Sequence, residues 1–383
     1  MPLGSPPDRR LRQETGGASW TEESTGRIED VMPSSPRSPK RPPEADLRDI
    51  DALFAQAGLV RSLRGKSSTR FRAARLDRAA PEELSRTAPA PRIAANGVGW
   101  LPVAGWKFAW LWSGFSTRVG GLSRAYCADD APGELNLGFT AQDSRESVAA
   151  NRRLLAEAVT GGASTPLVTL RQFHSNLVVR VTAADGSCQL PRKADGAMTD
   201  EPGLLLAAQT ADCIPVLVAD RRRRAVGAFH AGWRGTVKRI VETGVGRMRL
   251  EFGSRPEDLV AAIGPGIGQC CYAVGEEVLS EFESQFTYGR ELFREVYDAD
   301  AVRTKYPMLF LTQRAPGHSP IGPSLHVDLI EANRRQLMDA GVAERSIHVV
   351  GGCTQCQPEL FFSHRGSRGH AGRMMAVIGV GNI

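Results

Sequence analysis

Two apolar segments joined by a short polar turn constrain the fold of this chain most strongly. IPVLVA at 214–219 and AVGAF at 225–229 each have the length and composition of a β-strand, and DRRRR at 220–224 lies between them as a turn. Strands joined in this way pair antiparallel, about 5 Å apart. The sequence therefore predicts a hairpin whose open end brings Cys213 and His230 together.

Other segments add further strands and two helices. LVVRV at 177–181 and LLLAA at 204–208 are also typical of strands, whereas the apolar residues of 236–252 recur at helical spacing and predict one helix there. A second helix is predicted to begin at Asp328, because Asp328 and Glu331 form a capping-box pattern.

Composition and hydrophobic periodicity divide the chain into three regions. Residues 1–47 are an aperiodic mixture of Pro, Ser, Arg and Glu that cannot bury enough apolar surface, so we expect a disordered extension. Residues 48–96 are expected to contain one amphipathic helix and a linker. A single catalytic domain is predicted over 97–383, which begins with an aromatic, strand-like segment.

Composition limits the class of protein and its partners. Hydrophobic residues make up 42% and charged residues 23% of the chain, which is close to globular averages. No apolar run reaches the roughly 18 residues needed to cross a bilayer, and the first residues lack the apolar core of a signal peptide, so we expect a cytoplasmic protein without a membrane partner. The net charge of +6 arises from scattered basic residues, which argues against nucleic acid and suits a phosphate substrate.

Three residues are candidate zinc ligands. Cys213 precedes the first strand of the hairpin, His230 ends the second, and His174 lies in RQFHSN before another strand. One thiolate and two imidazoles suit zinc, and three protein ligands leave the fourth tetrahedral position open, as in catalytic sites. On spacing alone, a His at a strand end or a Cys at a strand start more often packs in the core than binds a metal.

The other six of the seven cysteines show no disulfide-framework density, so we expect reduced thiols. Cys353 and Cys356 have zinc-knuckle spacing, but no second pair with that spacing accompanies them. We interpret them, together with Cys270 and Cys271, as structural thiols that contribute to packing.

Several long motifs resemble a known family. QFHSN, TADCIPVLV, FHAGWRGTV, AIGPGIGQCCYAVGEEV and CTQCQPELFFSHR occur in the order found in the laccase-domain family, which is named multicopper polyphenol oxidase and now regarded as purine nucleoside phosphorylases. The match extends over roughly residues 97–380. The resemblance implies an α+β fold with α/β/β/α layers and mixed sheets, shared distantly with bacterial toxin deamidases.

The resemblance also implies an activity and a ligand set. It implies a single zinc held by His174, Cys213 and His230, phosphorolysis of adenosine, inosine and methylthioadenosine to free base and sugar 1-phosphate, and deamination of adenosine. Zinc would activate water for attack at the purine C6 carbon. Where members of the family commonly have SYRR, this chain has Ser-His-Arg-Gly at 363–366, which puts the contacts of the missing Tyr and second Arg in doubt.

Phosphorolysis also needs cationic groups that hold phosphate against the ribose. Arg118 in STRVGG and Arg234 in GWRG are predicted to bind substrate, the latter where a turn leads into a helix N-terminus, and Arg365 and Arg373 are further candidates.

Two acidic residues are candidates for supporting roles beside the metal ligands. Asp195 or Asp212 is expected to act as a general acid–base or to orient a ligating His, and for Asp212 a backbone-capping role is also expected.

Two alternatives from other classes stay open. A Cys/His-dependent hydrolase or deamidase would use Cys213 as a nucleophile activated by His230 and would need no third soft ligand, whereas zinc needs His174. A metabolic adaptor would act through residues 1–95 on a partner that the sequence does not identify. Laccase chemistry is excluded, because it requires many His ligands in His-x-His pairs and this chain has seven His and no such pair, although the site could bind copper adventitiously.

Overall fold

The computed structural model describes residues 89–127, 131–162, 165–186, 191–296 and 323–382. The predicted disordered extension and the predicted helix after residue 47 lie outside these ranges. A strand at Arg92–Ile93 precedes residue 97 and pairs with the strand at Gly99–Leu101, while the domain limits themselves stay a prediction.

The described ranges contain sixteen strands and six α-helices, numbered here in chain order. The strands are β1 Arg92–Ile93, β2 Gly99–Leu101, β3 Leu111–Ser116, β4 Val119–Ser123, β5 Leu167–Thr169, β6 Val178–Arg180, β7 Gly196–Thr199, β8 Leu205–Thr210, β9 Ile214–Asp220, β10 Val226–Ala231, β11 Leu259–Ile263, β12 Ala273–Val274, β13 Phe293–Val296, β14 Ser324–Val327, β15 Ile347–Val349 and β16 Met374–Val380. The helices are α1 Arg145–Thr160, α2 Ala183–Gly186, α3 Trp233–Val237, α4 Ile240–Phe252, α5 Glu276–Gln285 and α6 Leu329–Asp339.

Most strands belong to two six-stranded mixed sheets. The first sheet has the order β1-β2-β3-β16-β8-β5, the second has the order β15-β11-β9-β10-β7-β6, and a small third sheet has the order β12-β14-β13. The predicted hairpin is confirmed as β9 and β10, which pair antiparallel with Ile214 opposite Ala231 and Ala219 opposite Val226. It lies at the centre of the second sheet.

The two large sheets pack face to face. Phe115, Leu206 and Ile378 of the first sheet share one buried cluster with Leu217 and Ala228 of the second. Because β9 is buried on both faces, its sequence is a continuous apolar run rather than an alternating one. Burial from both sides therefore fixes the central hairpin.

Helices cover the outer face of each sheet. Leu155 of α1 packs against Leu205 and Val377 on the first sheet. The helices α4 and α6 cover the second sheet, with Val245 and Leu337 in one cluster with residues of β9 and β10. The order of layers is thus helix, sheet, sheet, helix, which confirms the α+β fold with α/β/β/α layers.

The prediction of one helix over 236–252 is wrong at one point. The chain forms α3 and α4 there, and the break falls at Lys238 and Arg239, where Arg239 has a left-handed backbone with φ of 61°. The guanidinium of Arg239 pairs with Glu242 and donates to the Gln285 carbonyl, which holds this conformation. The apolar stripe that suggested the helix is nevertheless buried on both sides of the break.

The predicted start of α6 at Asp328 is confirmed. The Asp328 carboxylate accepts a hydrogen bond from the Glu331 amide at 2.9 Å, as an N-cap does. The reciprocal half of the capping box is replaced, because the Glu331 side chain pairs with Arg334 and Arg335. Within the described part of the chain, the helices are all too short or too polar to cross a membrane.

Candidate metal centre and active site

The open end of the β9–β10 hairpin positions two candidate ligands. Cys213 immediately precedes β9, and His230 in β10 is paired with Pro215. The third candidate, His174, lies in the loop before β6. The Sγ of Cys213 is 3.8 Å from Nε2 of His174, and the ligand atoms of all three residues lie within 4.8 Å of one another. The structure thus brings together the three residues singled out from the sequence, here called the three-ligand centre.

A buried carboxylate fixes both histidines. One oxygen of Asp195 accepts hydrogen bonds from the amides of Phe173 and His174 at 3.1 and 3.0 Å, and the other accepts from the amide and hydroxyl of Ser175, each at 2.7 Å. These bonds hold His174 in a left-handed conformation with φ of 62°, which is uncommon for a residue with a side chain.

The same carboxylate orients His230. Nδ1 of His230 donates to the Asp195 oxygen at 2.9 Å, so Nε2 is left to face the centre. Metal-ligating histidines commonly donate their second nitrogen to a carboxylate in this way. Asp195 therefore occupies the position expected of a residue that orients a ligating His.

The charges within the centre depend on one another. Burial raises the pKa of the Cys213 thiol, but His230 and His174 outweigh it and lower that pKa to about 6. Burial disfavours the imidazolium of His230, but Cys213 and Asp195 outweigh it and raise the pKa of His230 to about 9. Burial also opposes the charge on Asp195, while hydrogen bonds from His230 and Ser175 hold its pKa well below the ordinary value. The Cys213 thiolate and the Asp195 carboxylate therefore share the imidazolium of His230. A metal cation could take the place of the proton on Nε2 of His230.

A glycine turn lies directly against the ligands. A Cβ at Gly232 would lie 2.7 Å from Cδ2 of His174 and 2.9 Å from Sγ of Cys213. The turn leads into α3 at Trp233, as the GWRG motif predicted. Only glycine at this position leaves both ligand side chains their space.

The three-ligand centre opens into a cavity of about 510 Å³. Besides the ligands, Phe139, Arg171, Gln209, His364 and Arg373 are among the residues that line it. Cavities of this size are typical of small-molecule sites. Of the lining residues outside the centre, only Arg373 was predicted from the sequence to bind substrate.

The two arginines predicted to bind substrate lie elsewhere among the described residues. Arg118 pairs with Glu134, donates to the Pro358 carbonyl at 2.6 Å and lies over the Phe362 ring. Arg234 is exposed, with its guanidinium 4.3 Å from the centre of the Trp233 ring. Neither lines the 510 Å³ cavity, and their binding of substrate stays a prediction.

Tyr272 is a neighbour of the centre that was not predicted from the sequence. Burial raises the pKa of its phenol to about 12, with a further contribution from Cys213, so the hydroxyl is neutral. Arg365 lies 5.2 Å from the centre of the Tyr272 ring and donates to the Ala273 carbonyl at 2.8 Å. Tyr272 lies within the CCYAVG motif, where no pattern of polar residues marks it as a functional residue.

Asp212 holds a second loop against the centre. Its carboxylate accepts from the Thr354 hydroxyl at 2.6 Å and from the Arg365 amide at 2.7 Å. It is buried, and its backbone is left-handed with φ of 89°. The Asp212 side chain thus caps a backbone amide, which is the capping role expected from the sequence.

The layered fold carries a His/Cys group that could hold a metal ion, and this group opens into a cavity of ligand size. The chain belongs to the family described as multi-copper polyphenol oxidoreductase laccase, which matches residues 112–381. It is 36% identical over 294 residues to the purine nucleoside phosphorylase YlmD of Geobacillus stearothermophilus, a match that covers 73% of this chain and 94% of that protein.

Two further comparisons agree with that assignment. The purine nucleoside phosphorylase of Deinococcus radiodurans is 37% identical over 266 residues, covering 70% of this chain and 88% of that protein. The crystal structure of YlmD from Geobacillus stearothermophilus is similar with a TM-score of 0.60 and 33% identity, covering 77% of this chain and 100% of that chain.

Gly232→Ala is expected to remove metal from the three-ligand centre without unfolding the chain, because the added Cβ displaces two ligands. Metal content, measured by elemental analysis, should fall by one ion per chain while the far-ultraviolet circular dichroism is unchanged. Gly246→Ala in α4 is the matched control, since a Cβ there meets no atom within 4 Å. Full metal content in Gly232→Ala would contradict the assignment.

In metal-free protein, alkylation of Cys213 by iodoacetamide is expected to reach half its maximal rate near pH 6, because the thiolate reacts and forms above its lowered pKa. Peptide mass spectrometry from about pH 5 to about pH 9 measures the rate. Cys127 is the internal control, since burial and Glu134 raise the pKa of its thiol. Equal pH profiles for the two cysteines would refute the charge arrangement.

Proposed function

We propose that this chain is a zinc-dependent purine nucleoside phosphorylase that also deaminates adenosine. It would convert adenosine, inosine or methylthioadenosine and phosphate into the free base and the sugar 1-phosphate. The observation that carries the proposal is the three-ligand centre opening into a 510 Å³ cavity that arginine side chains line. The names of its relatives from Geobacillus stearothermophilus and Deinococcus radiodurans support the same activity.

The donor set favours zinc. One thiolate and two imidazoles suit this ion, and an open fourth position is typical of catalytic zinc, while copper is also compatible with these donors. When bound, zinc supplies a Lewis acid and an activated water molecule. Asp195 keeps the proton of His230 on Nδ1, and Gly232 leaves the ligands their space. These residues therefore organise the centre before substrate arrives.

Two arginines would hold phosphate. Arg171 and Arg373 line the cavity, and neither pairs with a carboxylate among the described residues. Nη1 of Arg373 donates to the carbonyls of Ala371 and Gly372 at 2.7 and 3.0 Å, which fixes one edge of the guanidinium. Phosphorolysis depends on a preorganised cation that places phosphate against the sugar carbon, and a fixed guanidinium meets that need.

An aromatic wall would receive the purine. The Phe139 ring lines the cavity and is 47% exposed, and a purine would stack on its exposed part. The guanidinium of Arg145 lies 5.0 Å from the centre of this ring. The guanidinium of Arg152 lies 4.2 Å from the centre of this ring and donates through Nε to the Leu137 carbonyl at 2.8 Å. Burial lowers the pKa of Arg152 to about 10, so it is still charged at neutral pH and holds the ring in place.

Deamination would use the same cavity with water in place of phosphate. Adenosine and water would give inosine and ammonia, so the two reactions differ in the nucleophile and in the carbon attacked. Asp195 is saturated by hydrogen bonds and Asp212 is held by Thr354 and Arg365, so both act in positioning. Among the described residues that line the cavity, His364 is the histidine outside the three-ligand centre and could contact a substrate there.

A cysteine hydrolase is the second candidate, because Cys213, His230 and Asp195 also have the order of a nucleophile, base and orienting carboxylate. His174 separates the two functions. A phosphorylase at this centre loses activity on treatment with a chelator or in His174→Ala, whereas a hydrolase keeps its activity in both conditions.

Purified protein incubated with adenosine is expected to form adenine only when phosphate is present and inosine whether or not it is present. Liquid chromatography identifies the products. Both should disappear in Cys213→Ser, because the centre loses a ligand. Cys127→Ser is the control and should still form both products, since the Cys127 thiol donates a hydrogen bond to the Ser123 carbonyl and lies outside the three-ligand centre. If wild-type protein releases neither base nor inosine, the proposed function is wrong.

Arg373→Ala is expected to raise the KM for phosphate by about tenfold or more, since a hydrogen bond between charged groups contributes about 1.5–3 kcal/mol. The KM for adenosine should change much less. Steady-state kinetics at varied phosphate measure the difference, with Arg249→Ala on the exposed side of α4 as the control. An unchanged KM for phosphate would show that Arg373 does not bind phosphate. The same assay on Arg118→Ala and Arg234→Ala tests whether those two arginines, predicted from their motifs, bind substrate.

A further inference from the structure

We propose that this chain has a second metal site, in which Cys270, Cys271, Cys353 and Cys356 bind one zinc ion in a structural role. The four Sγ atoms, here called the four-cysteine cluster, lie within 4.8 Å of one another. Cys356 Sγ is 3.5 Å from Cys270 Sγ and 3.4 Å from Cys271 Sγ. Zinc–sulfur bonds of about 2.3 Å in a tetrahedron require sulfur–sulfur distances of about 3.8 Å, close to those observed.

The pairing of two strands creates this cluster. β11 and β15 are parallel neighbours in the second sheet, so their carboxyl ends lie at the same edge. Cys270 and Cys271 lie in the loop that leaves β11, and Cys353 and Cys356 lie in the turn that follows β15. The two connections are joined by a bridge between Gly266 and Cys353. The second pair of thiols that a zinc knuckle needs is therefore present, although it lies more than eighty residues earlier in the chain.

The backbone around Cys353 has the form of a metal knuckle. The Gly268 amide donates to Cys353 Sγ at 3.2 Å. The backbone amides of Cys356 and Gln355 also donate to this sulfur. A Cβ at Gly268 would lie 3.1 Å from Cβ of Cys353 and 3.2 Å from Sγ of Cys270, so the loop and the turn approach closely at this glycine. Backbone amides that support a thiolate are what a C-x-x-C metal ligand pair requires.

A metal explains the cluster better than a disulfide does. The thiols are free, and Cys356 Sγ is about equally far from two partners instead of within bonding distance of one. Cys353 is buried, whereas Cys270 and Cys356 are exposed, so one ligand is anchored in the protein and the others can be reached by an ion from solvent. Four thiolates close the coordination sphere, which is typical of structural zinc rather than catalytic zinc.

The four-cysteine cluster would stiffen the wall of the three-ligand centre. Thr354, inside the C-x-x-C turn, donates to the Asp212 carboxylate, and the Ile267 amide donates to the Asp212 carbonyl at 2.8 Å. Asp212 adjoins Cys213, and Tyr272 directly follows Cys271. An ion that joins the two loops therefore fixes the segments that hold Cys213 and Tyr272 in place.

Zinc content separates the two sites. Protein purified under reducing conditions with zinc present is expected to hold two ions per chain in the wild type and in the control Cys127→Ser. One ion should be lost in Cys356→Ser and one in Cys213→Ser. The proposal fails if Cys356→Ser retains the wild-type zinc content, or if intact-mass analysis of the native protein reveals a disulfide that includes Cys356.

Cobalt substitution tests the cluster without altering it. Cys213→Ser protein loaded with Co²⁺ should show intense sulfur-to-cobalt charge-transfer bands and the visible bands of tetrahedral cobalt, since its four-cysteine cluster is intact. This readout stays informative if Cys356→Ser does not fold, and it does not depend on the proposed enzyme activity. A Cys213→Ser protein without these bands would overturn the second site.

Discussion

The geometry of the candidate metal centre depends on the hydrogen bonds that the buried carboxylate of Asp195 accepts. The carboxylate accepts hydrogen bonds from three consecutive amides, one hydroxyl and the His230 ring, and these offset the large cost of burying its charge. The loop that carries His174 owes its shape to these bonds, since it lies outside the regular strands. One side chain thus sets the conformation of one ligand and the tautomer of another.

The layered core gives that carboxylate a rigid setting. β9 and β10 are covered by the first sheet on one face and by α4 and α6 on the other, so the hairpin cannot shift without opening closely packed clusters. The centre lies at the open end of this hairpin and draws its ligands from three separate segments. Because several rigid elements hold these residues, the centre has a fixed geometry, which is typical of functional sites in proteins.

Local patterns in the sequence predicted the parts of the site that local structure creates. The proximity of Cys213 and His230 follows from strand period and turn length, and the start of α6 follows from the chemistry of Asp328. The break between α3 and α4 at Arg239 could not be predicted from the sequence, because neither glycine nor proline marks it. The cavity position of Arg373 and the meeting of Cys270 with Cys356 depend on strand pairing between distant segments, which no local period reports.

The position of β16 has a consequence for how the chain is made. This strand follows all the other described strands in sequence, yet it lies inside the first sheet between β3 and β8. During synthesis, β3 and β8 therefore emerge from the ribosome long before the strand that joins them, and each presents an unpaired edge in the interval. Arg373 immediately precedes β16, so the cavity wall is completed in the same late step. Until β16 is translated, the edges of β3 and β8 are therefore available for pairing with strands of other chains.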